Sequence, residues 1–158
     1  MSVPVQRTVV GVVAVELSDA DYQRLLTFRT QLRRFDQWST RRAMASGLTH
    51  AQHQLLLAIR GHADSRGPTI GEVAEYLLVR HHTAVELANR TQELGFISRS
   101  RNDADRRVVR LVLTAKGRRR IRSLSAAHME ELRQLAPILS ALVADGGRAR
   151  HSRRSKMA

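Results

Sequence analysis

The chain has 158 residues, 42% of them hydrophobic, no cysteine, and a formal net charge of +13. That is enough chain for one ordinary domain with a real core, and too apolar a composition for a disordered protein; the lack of cysteine excludes disulfides, thiolate zinc sites and thiol redox sensing. No apolar run approaches the roughly 20 residues of a membrane span, and a cytoplasmic location is expected.

Residues 1–17 are valine-rich and lack the small-residue cleavage pattern of a secretory signal, so they read as an N-terminal arm. Ser18 then stands where it can cap a helix, with Asp19 and Asp21 in the first turn. Apolar residues recur at Tyr22, Leu25, Leu26, Phe28, Leu32, Phe35 and Trp38, which predicts a helix to about Ser46, closed by Gly47. A single-striped helix of that length usually packs against a second chain or another long helix.

Thr49 caps a second helix, AQHQLLLAIRG, which Gly61 stops, and HADSRGP follows as a polar loop. Thr69 with Glu72 three residues later is a capping-box arrangement. It opens a short helix whose apolar face is Ile70, Val73, Ala74 and Leu77. The next helix, roughly His81 to Leu94, starts almost at once. Two short helices joined so tightly, with small Ala74 where they cross, predict a helix-turn-helix.

After Gly95 the period changes. FISRS and VVRLVL read as strands on either side of RNDADRR, a turn of Asn, Asp and Arg. A hairpin directly behind a helix-turn-helix is a winged helix. From Thr114 a long helix runs to Pro137, which is expected to break or kink it. A short last helix, about Ile138 to Val143, ends at DGG, and the basic residues beyond are expected to be disordered.

Charge is unevenly distributed along this plan. Residues 78–120 hold eleven Lys/Arg against four Asp/Glu, and the final stretch RARHSRRSKMA holds five basic residues and no acid. These two segments carry twelve of the thirteen net charges, so the rest of the chain is nearly balanced. A positive field confined to one segment and a tail suits a polyanion, because each Lys or Arg that neutralises a phosphate releases counterions. The competing reading is a solvated basic surface kept for solubility. Six aromatic residues are too few for binding single strands by base stacking.

The stretches GLTHAQHQLLLAI, TIGEVAEYLLVRHHTAVELANRTQELGFISR and DRRVVRLVLTAKG together resemble the MarR family of winged-helix transcriptional regulators, over about residues 19–145. The most specific part is Asp105-x-Arg107 followed by an apolar strand and Leu113-Thr114-x-x-Gly117. The resemblance implies a homodimer whose N- and C-terminal helices form a shared interface, with one winged helix per subunit facing double-stranded DNA. The expected fold is mainly α with a small β-hairpin wing (α+β). Its parts are an arm (1–17), an N-terminal dimerisation helix (18–46), a winged helix-turn-helix DNA-binding domain (47–113), C-terminal dimerisation helices (114–145) and a basic tail (146–158). Two positions depart from the family pattern: Arg80 stands where a small capping residue is usual, and Thr91 where leucine is common.

The adjacent pair His81 and His82 raises a choice between metal and DNA. Neighbours on a helix point about 100° apart, whereas two ligands for one ion normally stand three or four residues apart. In the winged-helix reading the N-terminal half of this helix enters the major groove. His81, His82, Thr83 and Glu86 then face the DNA, with Val85 and Ala88 turned inward. Histidine donates to guanine or phosphate, Thr83 meets a thymine methyl, and Glu86 accepts from cytosine N4. Arg80 and Arg90, near the helix ends, suit phosphates. In the wing, the resemblance implies that Asp105 pairs with Arg107, and that one of Arg101, Arg106 and Arg107 enters the minor groove, where a guanidinium is favoured.

The usual effector of the family implied by the resemblance is a small aromatic or lipophilic anion; Tyr22, Phe28, Arg29, Phe35 and Trp38 are the candidates to line its pocket, against the plainer reading of interface core. His50 and His53, three residues apart, keep a His/carboxylate zinc sensor as a rival, but no metal or other cofactor is expected. Nor is an enzyme expected: no serine sits in a glycine elbow, and no glycine-rich loop follows a strand. A non-specific, architectural DNA-binding protein is the stronger competitor.

Overall fold

The computed structural model describes residues 17–101 and 108–154, with side chains as far as residue 142. The order is α1 (Asp19–Ala45), α2 (His50–Gly61), α3 (Ile70–Leu77), α4 (His81–Glu93), β1 (Ile97–Arg101), β2 (Val109–Leu113) and α5 (Ala115–Arg154). This is the mainly α fold with a hairpin that the sequence predicts.

Three helices open on reciprocal caps. Ser18 with Asp21, Thr49 with Gln52 and Thr69 with Glu72 each exchange a side-chain bond for a backbone N–H in both directions. Each box satisfies two donors that the first helical turn leaves orphaned, a contribution of about 1 kcal/mol. Thr114 caps α5 in one direction only, accepting from the Gly117 N–H at 3.0 Å. α4 alone among these starts without a side-chain cap, on Arg80. The arginine that departs from the family pattern therefore leaves its guanidinium free for another role.

The wing is an antiparallel pair in register from Ile97↔Leu113 to Arg101↔Val109. Thr69 bridges to Arg110 on the outer side of β2, and the Leu111 N–H donates to the Pro68 carbonyl at 2.8 Å, so the start of α3 is sewn to the wing. The core lies between α2, α3, α4, the hairpin and the first half of α5, with Leu55, Leu56, Val73, Ala84, Ala88 and Leu111 wholly buried. Val85, expected inside, is only half-buried; Ala84 takes that place, because the buried positions of α4 fall on 84, 88 and 91. Thr91 is wholly buried, and its hydroxyl donates to the Leu87 carbonyl at 2.7 Å. The polar atom is thus satisfied within the helix, and threonine serves where leucine is common.

The C-terminal region differs from expectation. α5 runs as one helix through Pro137 to Arg154, with no separate last helix. An interior proline removes one hydrogen bond, and the flanking Leu135, Ala136, Leu139 and Ala141 are good helix formers. The arm (1–16), residues 102–107 and residues 155–158 lie outside the described residues.

One backbone conformation is costly. Leu78 closes α3 in the left-handed region at φ 54°, and its side chain is 92% exposed. A Cβ there costs about 1 kcal/mol, and no burial offsets it. Leu78→Gly should therefore raise the unfolding free energy by up to about 1 kcal/mol. A urea titration that finds the glycine variant less stable than the parent would sink this account.

Candidate nucleic-acid interface

α4 is divided lengthwise by its own sequence. Ala84, Ala88 and Thr91 are buried against the core, while His81, His82, Thr83, Glu86, Asn89 and Arg90 are exposed. Arg80, also exposed, precedes them as the N-cap. The six residues predicted to face DNA are thus all exposed. Within the set, Arg90 pairs with Glu86 at 3.2 Å, one turn apart. Both side chains are more than 60% exposed, so the pair is screened by solvent and easily exchanged for a base edge or a phosphate.

A residue that sequence reasoning missed holds this helix against the wing. Arg99 of β1 donates to Asn89 at 2.7 Å and also to Gln92, both on α4. Its only sequence signal is the alternation of β1, which puts Arg99 and Arg101 on the same face. Arg101 is exposed at the end of β1, opposite Val109. Asp105, Arg106 and Arg107 lie outside the described residues.

The turn-side half of the wing is charged and tightly paired. Asp64 accepts from Arg66 at 2.7 Å and lies 3.5 Å from Arg110, and Arg110 also donates to the Gly67 carbonyl at 2.7 Å. The hydrogen bonds from Arg66 hold the Asp64 carboxyl far below the usual range, so it stays ionised. The Thr69 backbone N–H does likewise, more modestly, for Glu72. At the other end of the hairpin, the Thr114 hydroxyl lies 2.7 Å from the Gly95 carbonyl, and Lys116 donates to the Leu94 carbonyl at 2.8 Å while sitting over the Phe96 ring. The end of α4, the start of β1 and the start of α5 meet at that corner.

The α1 aromatics do not gather as one site. Phe35 and Trp38 stack with ring centroids 5.9 Å apart, and His128 of α5 meets Trp38 edge-on at 4.8 Å. His53 of α2 completes this cluster, 4.6 Å from His128. Tyr22, in contrast, is 60% exposed, Phe28 is half-buried, and Arg29 lies in an open depression lined by Leu32, Arg33, Asp36 and Gln37. In the cluster, His128 Nδ1 faces the Leu124 carbonyl at 2.8 Å and must carry the proton, which leaves Nε2 to accept from the Ser39 hydroxyl at 2.8 Å. His53 is 2% exposed, and its Nδ1 has no partner. His50 points elsewhere, to Thr40 at 3.0 Å and Asp36 at 3.6 Å, so the spacing of His50 and His53 does not bring them to one ion. Among the described residues, no three His, Asp or Glu side chains gather as a metal site, and no helix is long and apolar enough to cross a membrane.

Residues 46–108 match the sequence profile of the MarR family. The fold is shared with a DNA complex of MepR from Staphylococcus aureus (18% identity, TM-score 0.63, covering 90% of this chain and 100% of that one). It is shared equally with a MarR family protein from Bacillus stearothermophilus (19%, TM-score 0.64, 90% and 99%) and with AbsC, a MarR family transcriptional regulator from Streptomyces coelicolor (18%, TM-score 0.64, 87% and 99%). No curated protein matches the chain.

Proposed function

We propose that this chain, whose winged helix at residues 46–108 belongs to the MarR family, is a sequence-specific transcription regulator that binds double-stranded DNA as a homodimer. The observation that carries this reading is the exposed run of α4 from Arg80 to Arg90, in which His81, His82, Thr83 and Glu86 are all exposed and Glu86 is held only by its solvent-screened pair with Arg90. That run offers donors, an acceptor and a methyl group for base edges, with arginines at its ends for phosphates. The DNA complex of MepR, a protein of the same fold, supports the partner.

Two apolar patches support the dimer. On α1, Tyr22, Leu25 and Leu26 are each more than half exposed, and on α5 Met129, Leu132 and Ile138 are 42–51% exposed. A second copy covers such faces at an isologous interface. Two copies place two α4 helices on a pseudopalindrome with half-sites about one helical turn, 34–36 Å, apart. The regulator is read as a repressor that responds to a small aromatic or lipophilic anion, which changes the spacing of the two helices. The ring cluster of Phe35, Trp38 and His128, which His53 joins through His128, supports an effector there, in place of the wider α1 set.

The test is footprinting on the DNA upstream of the chain's own gene, with excess unrelated duplex, at two salt concentrations. A protected palindrome that survives competitor is expected. Uniform coating that vanishes as salt rises would instead favour the architectural reading, which the five basic residues at positions 148–158 keep in play. Glu86→Ala and His82→Ala should change base preference at one half-site position, by about 1–3 kcal/mol of discrimination. Equal loss on every sequence would remove both residues from the reading set. Deleting residues 146–158 should weaken all duplexes alike and flatten the salt dependence.

A further inference from the structure

The Arg99 guanidinium is held in place without being neutralised. Its two bonds, to the side-chain oxygens of Asn89 and Gln92, both go to neutral amides. The acid one turn before Asn89 on α4, Glu86, pairs with Arg90 instead. Among the described residues, no carboxylate pairs with Arg99. A guanidinium offers five N–H donors. The clasp takes one from each terminal nitrogen, so three remain on an exposed side chain.

Strand pairing explains where this cation stands. Arg99 is opposite Leu111, so it shares the inner face of the hairpin with the buried pair Ile97 and Leu113. Where the core ends, that face turns basic. Arg99 and Arg101 follow Ile97 at alternate positions, about 6.8 Å apart along the strand. The clasp shows that this part of the face looks across at the last turns of α4.

We propose that Arg99 is a phosphate-contacting residue, a fixed cation set between the two parts of the fold that enter DNA. The proposal rests on the DNA-binding reading above, in which α4 enters the major groove and the wing the adjacent minor groove. The sugar-phosphate strand that separates adjacent grooves then passes between helix and hairpin, at the guanidinium. Two donors keep the side chain ordered before DNA arrives, which reduces the entropy lost on binding. The other three face phosphate oxygens, the partners that a guanidinium matches best. Asparagine at position 89 is essential to this role. A carboxylate there would hold Arg99 as firmly and cancel its charge. The contact adds affinity and fixes the angle between α4 and the backbone, and carries no sequence information itself.

The experiment measures binding of the full chain to the duplex upstream of its own gene and to an unrelated duplex, each over a range of salt. Parent, Arg99→Gln, Arg99→Lys and Asn89→Ala are compared, after urea unfolding shows that each variant folds. Arg99→Gln should bind both duplexes about tenfold less tightly. It should also lose about one unit of the slope of log affinity against log salt for each bound subunit. Arg99→Lys keeps the cation and Asn89→Ala keeps the arginine, so both should retain the parent's slope. Single methylphosphonate replacements in the upstream duplex should find one phosphate per half-site that the parent needs and Arg99→Gln ignores. If Arg99 only positions α4, Arg99→Gln and Asn89→Ala lose discrimination between the duplexes together while their slopes match the parent's. That result, or one methylphosphonate pattern shared by parent and Arg99→Gln, would overturn the proposal. A parent that binds the two duplexes equally would instead end the sequence-specific reading and leave the slope comparison standing.

Discussion

Gly117→Ala is expected to destabilise the protein by about 3 kcal/mol, near the upper end for overpacked sites, and to lower Tm by roughly 10 °C. Gly117 sits in the first turn of α5, where an added Cβ would lie 2.0 Å from the Phe96 carbonyl oxygen and 3.4 Å from a methyl of Leu113. The obstructing atom belongs to the main chain, and the Thr114 N–H already donates to it at 3.1 Å. No side chain can rotate away, so the helix and the strand entry must separate or the variant must unfold. Gly67 meets the Leu111 carbonyl in the same manner, at φ 90° besides. Gly61→Ala supplies the control, because nothing lies within 4 Å of its Cβ position. Urea unfolding of the two alanine variants decides the matter. A Gly117 variant within about 1 kcal/mol of the parent would mean that the close approach is not rigid.

Acid should weaken the fold through His53. Burial first, then the charges of His128 and His50, hold its pKa at about 4 against an ordinary 6.5. Between pH 6.5 and 4 the unfolded chain therefore binds a proton that the folded chain refuses. Stability falls as pH drops through that window, by roughly 3 kcal/mol at its lower end, and is untouched by this group above about pH 7. The surroundings offer no relief: the neighbouring ring is His128, to which Ser39 is committed, and Asp36 lies near His50. His53→Leu should flatten the profile across the same window. If the leucine variant loses stability between pH 6.5 and 4 as steeply as the parent, the proton goes elsewhere.

Local chemistry made most of the fold legible. Ser18, Thr49 and Thr69 announce their helices because a cap acts within three residues, and Gly47 and Gly95 mark turns because both adopt a positive φ. α4 was legible for the same reason: its place follows from the tight turn after α3. Ala88 is buried as expected, but Ala84 rather than Val85 shares its inner side, a detail of facing that an uncapped start on Arg80 does not specify. The continuous α5 was not legible, because Pro137 is a local signal against helix that neighbouring helix formers override. Long-range contacts were hidden altogether. The meeting of His53 with His128 spans 75 positions, and the Arg99 clasp on α4 needs the hairpin folded before it exists.

The corner where Thr114, Lys116 and Gly117 press on the carbonyls of Leu94, Gly95 and Phe96 has a mechanical consequence. It leaves no free joint between α4 and α5, so the two turn together like the arms of a crank. A tilt of about 5° would carry a point twenty residues along α5, about 30 Å away, through nearly 3 Å. α4, with 13 residues and so about 20 Å long, is the shorter arm: the same tilt carries its far end through less than about 2 Å, so the corner scales a push on the distal helix down as it passes it to α4.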